Sequence, residues 1–122
     1  MQKKNKGFIR VIKATFYSLK GLKAAMQSEA AVRQELFLML ILVPVALWID
    51  VSLVEKLLLI MTLFIVLIAE LLNTAVETVV DRVSFDQHEL SGKAKDIGSA
   101  AVFISLLLML ICWLAVLINR YA

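Results

Sequence analysis

The feature that most constrains this chain is an uncharged run from Ile97 to Ile118, 22 residues long. At about 1.5 Å of rise per residue, a helix of this length crosses a hydrocarbon layer of about 30 Å. The whole sequence is 61% hydrophobic with a mean hydropathy of +0.89, well above the apolar share of a soluble domain. The run therefore predicts a transmembrane helix in an integral membrane protein.

Two more crossings follow from shorter apolar runs. Leu36 to Ile49 is apolar for 14 residues and reaches spanning length when it is extended back to Ala30, which places Arg33, Gln34 and Glu35 near the membrane surface. Pro44 lies inside this segment and is a candidate kink. The predicted fold is all-α, with spans over about 30–49, 55–80 and 92–119.

The segment that precedes the first span has a different pattern. Its apolar residues recur every three or four positions, and its basic residues occupy the opposite face, which is typical of a helix lying in the membrane interface. We expect such an amphipathic surface helix over about 6–28. Its apolar face consists of Phe8, Ile12, Phe16, Leu19, Leu22 and Met26.

Basic residues also predict the orientation. Seven Lys or Arg residues and no acid precede Glu29, and the 81–96 connection carries three more, whereas 50–56 and the C-terminal tail have one each. The positive-inside rule places the N-terminus and the 81–96 connection in the cytoplasm and the C-terminus outside. The basic segment lacks an apolar core, so it is not a cleaved signal peptide, and no nucleic-acid-binding motif is present.

A polar stripe interrupts the second half of the middle span. Glu70, Asn73, Glu77 and Asp81 are spaced by 3, 4 and 4 residues, so on a helix they share a stripe roughly 80° wide. A charged side chain at membrane depth costs about 3 kcal/mol on insertion scales, and such residues therefore mark functional sites. The stripe predicts a site on one face of this helix.

The spacing divides the stripe into two roles. Glu70 and Glu77 are separated by about 10 Å along a helix, too far for both to hold one ion at ligand distances of about 2.1 Å. We expect Glu70, the deeper residue, to act on a membrane-embedded substrate and Glu77 to meet a soluble ligand or its metal. Glu29, at the cytoplasmic end of the first span, is the available second carboxylate.

Complementary groups lie in and after the cytoplasmic connection. Lys95 can hold a phosphate as a point charge, and Mg²⁺ binds one or two carboxylates together with phosphate oxygens. The sequence has no Walker P-loop, no Gly-rich kinase loop and no zinc-protease motif. Any nucleotide site here is unorthodox. Ala94 and Gly98, four residues apart, favour close helix contact at the start of the last span.

Four sequence blocks resemble one known family, the prokaryotic diacylglycerol kinases. The most specific block reads Glu70-x-x-Asn73-Thr74-Ala75-Val76-Glu77-x-x-Val80-Asp81, and the others cover 17–22, 29–35 and 88–101. The resemblance implies a small homotrimeric membrane enzyme of the bacterial inner membrane. It implies a surface helix and three spans in each chain, and transfer of the γ-phosphoryl group of MgATP to diacylglycerol to form phosphatidic acid.

The resemblance also implies roles for individual residues. Glu70 is the expected general base, and Glu29 and Glu77 are the expected ligands of Mg²⁺. The expected ATP-binding residues are Arg10, Tyr17, Glu29, Glu77, Asp86, Gln87, His88, Lys95 and Asp96. The expected lipid-substrate residues are Arg10, Glu70, Asn73, Ser99 and Trp113.

Three alternatives remain at the level of sequence. A branch of the same family phosphorylates undecaprenol, a polyprenyl alcohol, although the 90–93 and 98–99 stretches look more like the diacylglycerol branch. A small proton-coupled transporter would also carry an intramembrane glutamate, but it would not need Glu29, Lys95 and Asp96 at the cytoplasmic face. A structural or regulatory membrane protein would leave the intramembrane carboxylates unexplained.

Overall fold

The computed structural model describes residues 6–83 and 88–122, and its regular structure there is entirely helical. The helices are α1 (Phe8–Ser28), α2 (Ala30–Trp48), α3 (Leu53–Val83) and α4 (Glu89–Tyr121). The last three are long and apolar enough to cross a membrane. The predicted all-α fold with three candidate spans is confirmed. The position of α1 on the membrane surface stays a prediction.

The corner between α1 and α2 is a single extended residue, Glu29, with φ −123° and ψ 118°. Its backbone N–H donates to the carbonyl of Ala25 at 2.9 Å. The guanidinium of Arg33 reaches back from α2 and donates to the carbonyls of Met26 at 2.7 Å and Gln27 at 3.3 Å. A cation on the last carbonyls of a helix is favourable, so Arg33 fixes the corner that carries Glu29.

The opposite end of the bundle is closed by a capping box and an ion pair. Ser52 and Glu55 exchange backbone-to-side-chain hydrogen bonds of 3.1 Å, which satisfies two free N–H groups at the start of α3. Arg120, near the end of α4, donates to the Asp50 carboxylate at 2.6 Å and to the Asp50 carbonyl at 2.8 Å. These contacts join the end of α4 to the connection between α2 and α3.

Helix α3 is central, with α2 and α4 packed against it and α1 touching α2 and α3. The apolar core lies toward the Asp50 end. Within it, the indole N–H of Trp113 lies 3.2 Å from Thr62 Oγ1 and 3.3 Å from the Leu59 carbonyl oxygen. The buried cluster consists of Met39, Ala46, Ile49, Leu59, Leu63 and Trp113. Helix α2 continues on both sides of Pro44.

Most of the apolar surface of α4 is not used within the chain. Only 6% of its most apolar window is buried, although this helix packs along α3. In water such a surface would aggregate, whereas in a bilayer it can contact lipid or another protein chain. The exposed apolar faces therefore support the assignment as a membrane protein.

Helices α3 and α4 lie close together at Gly98. A Cβ atom built on Gly98 would overlap Asn73 Oδ1 and would lie 3.3 Å from Asn73 Cγ. The missing side chain of Gly98 therefore makes room for the Asn73 amide, in agreement with the close contact that the spacing of Ala94 and Gly98 predicted. Gly92, one and a half turns earlier on the same helix, would meet nothing within 4 Å.

We expect Gly98→Ala to destabilise the protein by about 1 kcal/mol or more, because the new methyl group must displace the Asn73 amide or separate the helices. Gly92→Ala is the matched control and should stabilise α4 by up to about 1 kcal/mol through helix propensity. Thermal unfolding of both purified variants in the same detergent, followed by circular dichroism, checks this. Equal midpoints for the two variants would contradict the close contact.

Candidate active site

The polar face of α3 runs from the interior of the predicted span to beyond its end. Counted from Leu53 at about 1.5 Å per residue, Glu70 lies about 26 Å and Glu77 about 36 Å along the helix. A hydrocarbon layer of about 30 Å that starts at Leu53 therefore ends between these two carboxylates. One continuous helix thus carries two acids about 10 Å apart along its axis, both in the second half of the predicted span.

Glu70 is half-buried and interacts electrostatically with acidic groups from three parts of the chain. Glu35 on α2, Glu29 at the corner and Glu77 on α3 each act on it electrostatically. Like charges repel strongly at short range and low dielectric. This arrangement is therefore costly for the fold, and a bound cation or proton would lower that cost.

Glu35 is buried within the chain, which the sequence analysis did not predict. It is only 5% exposed, and its Oε2 atom has no hydrogen-bond partner among the described residues. Its expected depth near the membrane surface stays a prediction. It shares one stripe of α2 with the buried residues Val32 and Met39, at intervals of three and four. That periodicity is the signal by which a reading of the sequence could have found it.

Asn73 links the acidic face to the contact between α3 and α4. Its amide Nδ2 donates to Glu77 Oε1 at 3.2 Å, while its Oδ1 is buried against Gly98 and has no hydrogen-bond partner in the described part of the chain. The amide is therefore held from both sides, and it fixes one oxygen of Glu77. Two members of the polar stripe predicted from the sequence, Asn73 and Glu77, are therefore joined by a hydrogen bond.

Lys95 is brought to the acidic face from α4. Its ammonium nitrogen lies 2.7 Å from Asp81 Oδ1 and also interacts with Glu77. Because Asp81 is one helical turn beyond Glu77, the cation lies over the outer part of the stripe. The sequence predicted that Lys95 joins this site but did not predict its pairing with Asp81.

The other residues expected from α4 lie in different positions. His88 caps α4, with its Nδ1 accepting from the backbone N–H of Leu90 at 3.1 Å. Asp96 lines a shallow open groove with Glu89 and Lys93, and Ser99 is exposed. Neither Asp96 nor Ser99 packs into the contact between α3 and α4.

Among the described residues, three more expected site residues are not joined to the acidic face within one chain. Arg10 and Tyr17 are exposed on the N-terminal half of α1. Trp113 is buried in the core at the level of Thr62, about 12 Å along α3 from Glu70, so its contact with a lipid substrate stays a prediction. Asp86 and Gln87 lie outside the described residues.

Glu29 and Glu77 are suited to a hard divalent cation. Glu29 occupies the N-cap of α2 without a side-chain capping bond, so the local fold does not use its carboxylate there. Within residues 6–83 and 88–122 no three His, Cys, Asp or Glu side chains form a metal-binding group. Two carboxylates nevertheless fit Mg²⁺, which commonly completes its shell with phosphate oxygens and water.

Comparison with known proteins agrees with these features. The chain is 49% identical over 115 residues to the diacylglycerol kinase of Escherichia coli (strain K12), covering 94% of each chain. It is 48% identical over 110 residues to the diacylglycerol kinase of Haemophilus influenzae, covering 90% of this chain and 93% of the relative. For the Pseudomonas aeruginosa diacylglycerol kinase the identity is 47% over 113 residues, with 93% and 92% covered.

The match to the family covers most of the candidate site. Residues 16–117 match the family described as prokaryotic diacylglycerol kinase, and this range includes the corner, the acidic face of α3 and the start of α4. The chain belongs to the prokaryotic diacylglycerol kinase family.

Proposed function

We propose that this protein is a membrane lipid kinase that transfers the γ-phosphoryl group of MgATP to the hydroxyl group of diacylglycerol, forming phosphatidic acid. Its similarity to diacylglycerol kinases supports this activity. The structural observation that supports the proposal is the separation of Glu70 and Glu77 by about 10 Å along α3, toward the end of the predicted span. A reaction between a bilayer lipid and a water-soluble nucleotide requires a site at the membrane boundary.

Glu70 is the proposed general base. The lipid hydroxyl oxygen forms a bond to the γ-phosphorus, the bond from that phosphorus to the leaving ADP oxygen breaks, and the hydroxyl proton passes to the Glu70 carboxylate. Positioned proton transfer of this kind contributes about 10²- to 10⁴-fold to rates. The half-burial of Glu70 and its place within the span support this role.

Glu29 and Glu77 are the proposed residues that hold Mg²⁺ with the nucleotide, and Lys95 is the proposed phosphate-binding cation. When bound, Mg²⁺ supplies neutralisation of phosphate charge. Phosphoryl transfer depends mainly on positioning and charge neutralisation, so a few carboxylates and a lysine can suffice. The remaining proposed ATP contacts are Arg10, Tyr17, Asp86, Gln87, His88 and Asp96.

A homotrimer in the bacterial inner membrane is the proposed assembly, with the N-terminus in the cytoplasm and the C-terminus outside. Two observations support contact between chains. The apolar surface of α4 is largely unburied, and Arg10, Tyr17 and Asp96 are exposed on their own chain. A neighbouring chain could bring such residues to the acidic face. The basic N-terminal residues support the orientation.

The substrate itself is tested by a transfer assay. Purified protein in mixed micelles is given γ-labelled MgATP with either diacylglycerol or undecaprenol, and the labelled lipid is identified. We expect labelled phosphatidic acid to predominate. If undecaprenyl phosphate predominated, the proposed substrate would be the polyprenyl alcohol instead of diacylglycerol. If neither alcohol gave a labelled lipid, the kinase proposal would be rejected, and the transporter or structural alternatives would be favoured.

The two acidic roles are tested on α3 itself. We expect Glu70→Gln to lower kcat by about 100-fold or more and Glu77→Ala to abolish transfer, with both variants folded. Glu55→Gln is the matched control, because it removes a charge from the same helix while glutamine can preserve the capping box. Its transfer rate should equal that of the wild type. Glu70→Gln with most of its activity intact would exclude the base assignment.

Glu35 is tested by separating stability from activity. Glu35→Met removes an unpartnered buried oxygen, whose desolvation costs about 1–3 kcal/mol, and keeps a straight side chain of similar size. We expect the thermal midpoint to stay the same or rise. Transfer activity should fall by about tenfold, because a carboxylate that loses a like-charged neighbour binds a proton less tightly and is a weaker base. Met39→Leu, on the same buried stripe, is the control and should keep both. Full activity in the Glu35→Met variant would show that Glu35 contributes only to the packing of the helices.

A further inference from the structure

The ion pair between Lys95 and Asp81 joins the last turns of α3 to the first turns of α4. The two side chains are 44% and 60% exposed, and the nitrogen-to-oxygen distance is 2.7 Å. A second ion pair, between Arg120 and Asp50 at 2.6 Å, joins α4 to the rest of the bundle at the opposite end. The two pairs connect similar elements, but only the first lies beside the acidic face.

Stability does not account for the Lys95–Asp81 pair. An exposed pair of this kind contributes about 0–1 kcal/mol. The approach of α3 and α4 is already set by the Gly98–Asn73 contact and by the buried cluster around Trp113. Breaking the pair should therefore leave the fold intact.

The pair has a clear consequence for Lys95. Lysine has a flexible four-carbon side chain with about 2 kcal/mol of rotamer entropy, which a ligand must overcome if the side chain is free. Its ammonium has three donors, so a single contact with Asp81 leaves others for an incoming anion. The contact also holds the charge on the side of α4 that faces Glu77.

We propose that Asp81 is a positioning residue for the nucleotide, holding the Lys95 ammonium over the outer part of the acidic face so that it meets the phosphates already oriented. This inference rests on the proposed function. Asp81 does not touch the reacting atoms. It acts through Lys95, and its effect therefore falls on nucleotide binding rather than on the chemical step.

The test compares Asp81→Asn with Asp50→Asn, its matched control from the other ion pair. The KM for MgATP and kcat are measured in mixed micelles with saturating diacylglycerol, together with the thermal midpoint. We expect Asp81→Asn to raise the KM for MgATP by about fivefold, within the range of an exposed pair, with kcat changed by less than about twofold. Asp50→Asn should leave both constants unchanged, and Asp81→Glu should restore the KM. On Lys95→Ala the Asp81→Asn change should add nothing further.

Each other outcome overturns the inference. A KM that falls in Asp81→Asn would mean that Asp81 competes with the phosphates for Lys95. Equal values of KM and kcat in Asp81→Asn and Asp50→Asn would mean that the Lys95–Asp81 pair is only a surface contact. An Asp81→Asn protein that fails to fold would mean that this pair has a structural role. The proposed function fails separately, if the wild-type protein labels no lipid.

Discussion

The structure depends on one constraint, that a single helix longer than the membrane is thick must carry both an apolar span and an acidic face. Helix α3 has 31 residues, about 46 Å, against a hydrocarbon layer of about 30 Å. The excess length allows the acidic face to extend past the end of the predicted span, since Glu70, Glu77 and Asp81 follow one another toward the end of α3. Because the helix is continuous, the relative heights of these side chains are set by backbone geometry, and the rest of the bundle needs only to bring partners to them.

Those partners come from both sides of α3. Arg33 holds the α1–α2 corner, which places Glu29 near Glu70, and α2 adds the buried carboxyl of Glu35. From the other side, the close approach at Gly98 brings in α4 and with it Lys95. The apolar core and the Asp50–Arg120 ion pair lie at the opposite end. Stability and chemistry are thus concentrated at different ends of the bundle, which allows the acidic end to keep unfavourable charge repulsion and unpartnered polar atoms.

Much of the fold was predictable, because long uncharged runs and helical periodicity are local properties. The three candidate spans and the polar stripe of α3 follow from residue order alone, and so does the separation of Glu70 from Glu77. The glycine contact was also predictable, since small residues four apart mark a helix contact. The burial of Glu35 within the chain was not predicted, although its place on one stripe with Val32 and Met39 could have indicated it.

What the sequence by itself determined is the set of helices, the face of each one that is polar, and, through its resemblance to a known family, the type of chemistry. Only the tertiary structure decided which groups meet: Glu35 and Glu29 with Glu70, the Asn73 amide with Glu77, and Lys95 with Asp81 rather than with solvent. It also decided that Trp113 is a core residue within the chain. The physical reason is that periodicity fixes directions along one helix, whereas the pairing of side chains on different helices depends on their crossing and height, which residue order does not encode locally.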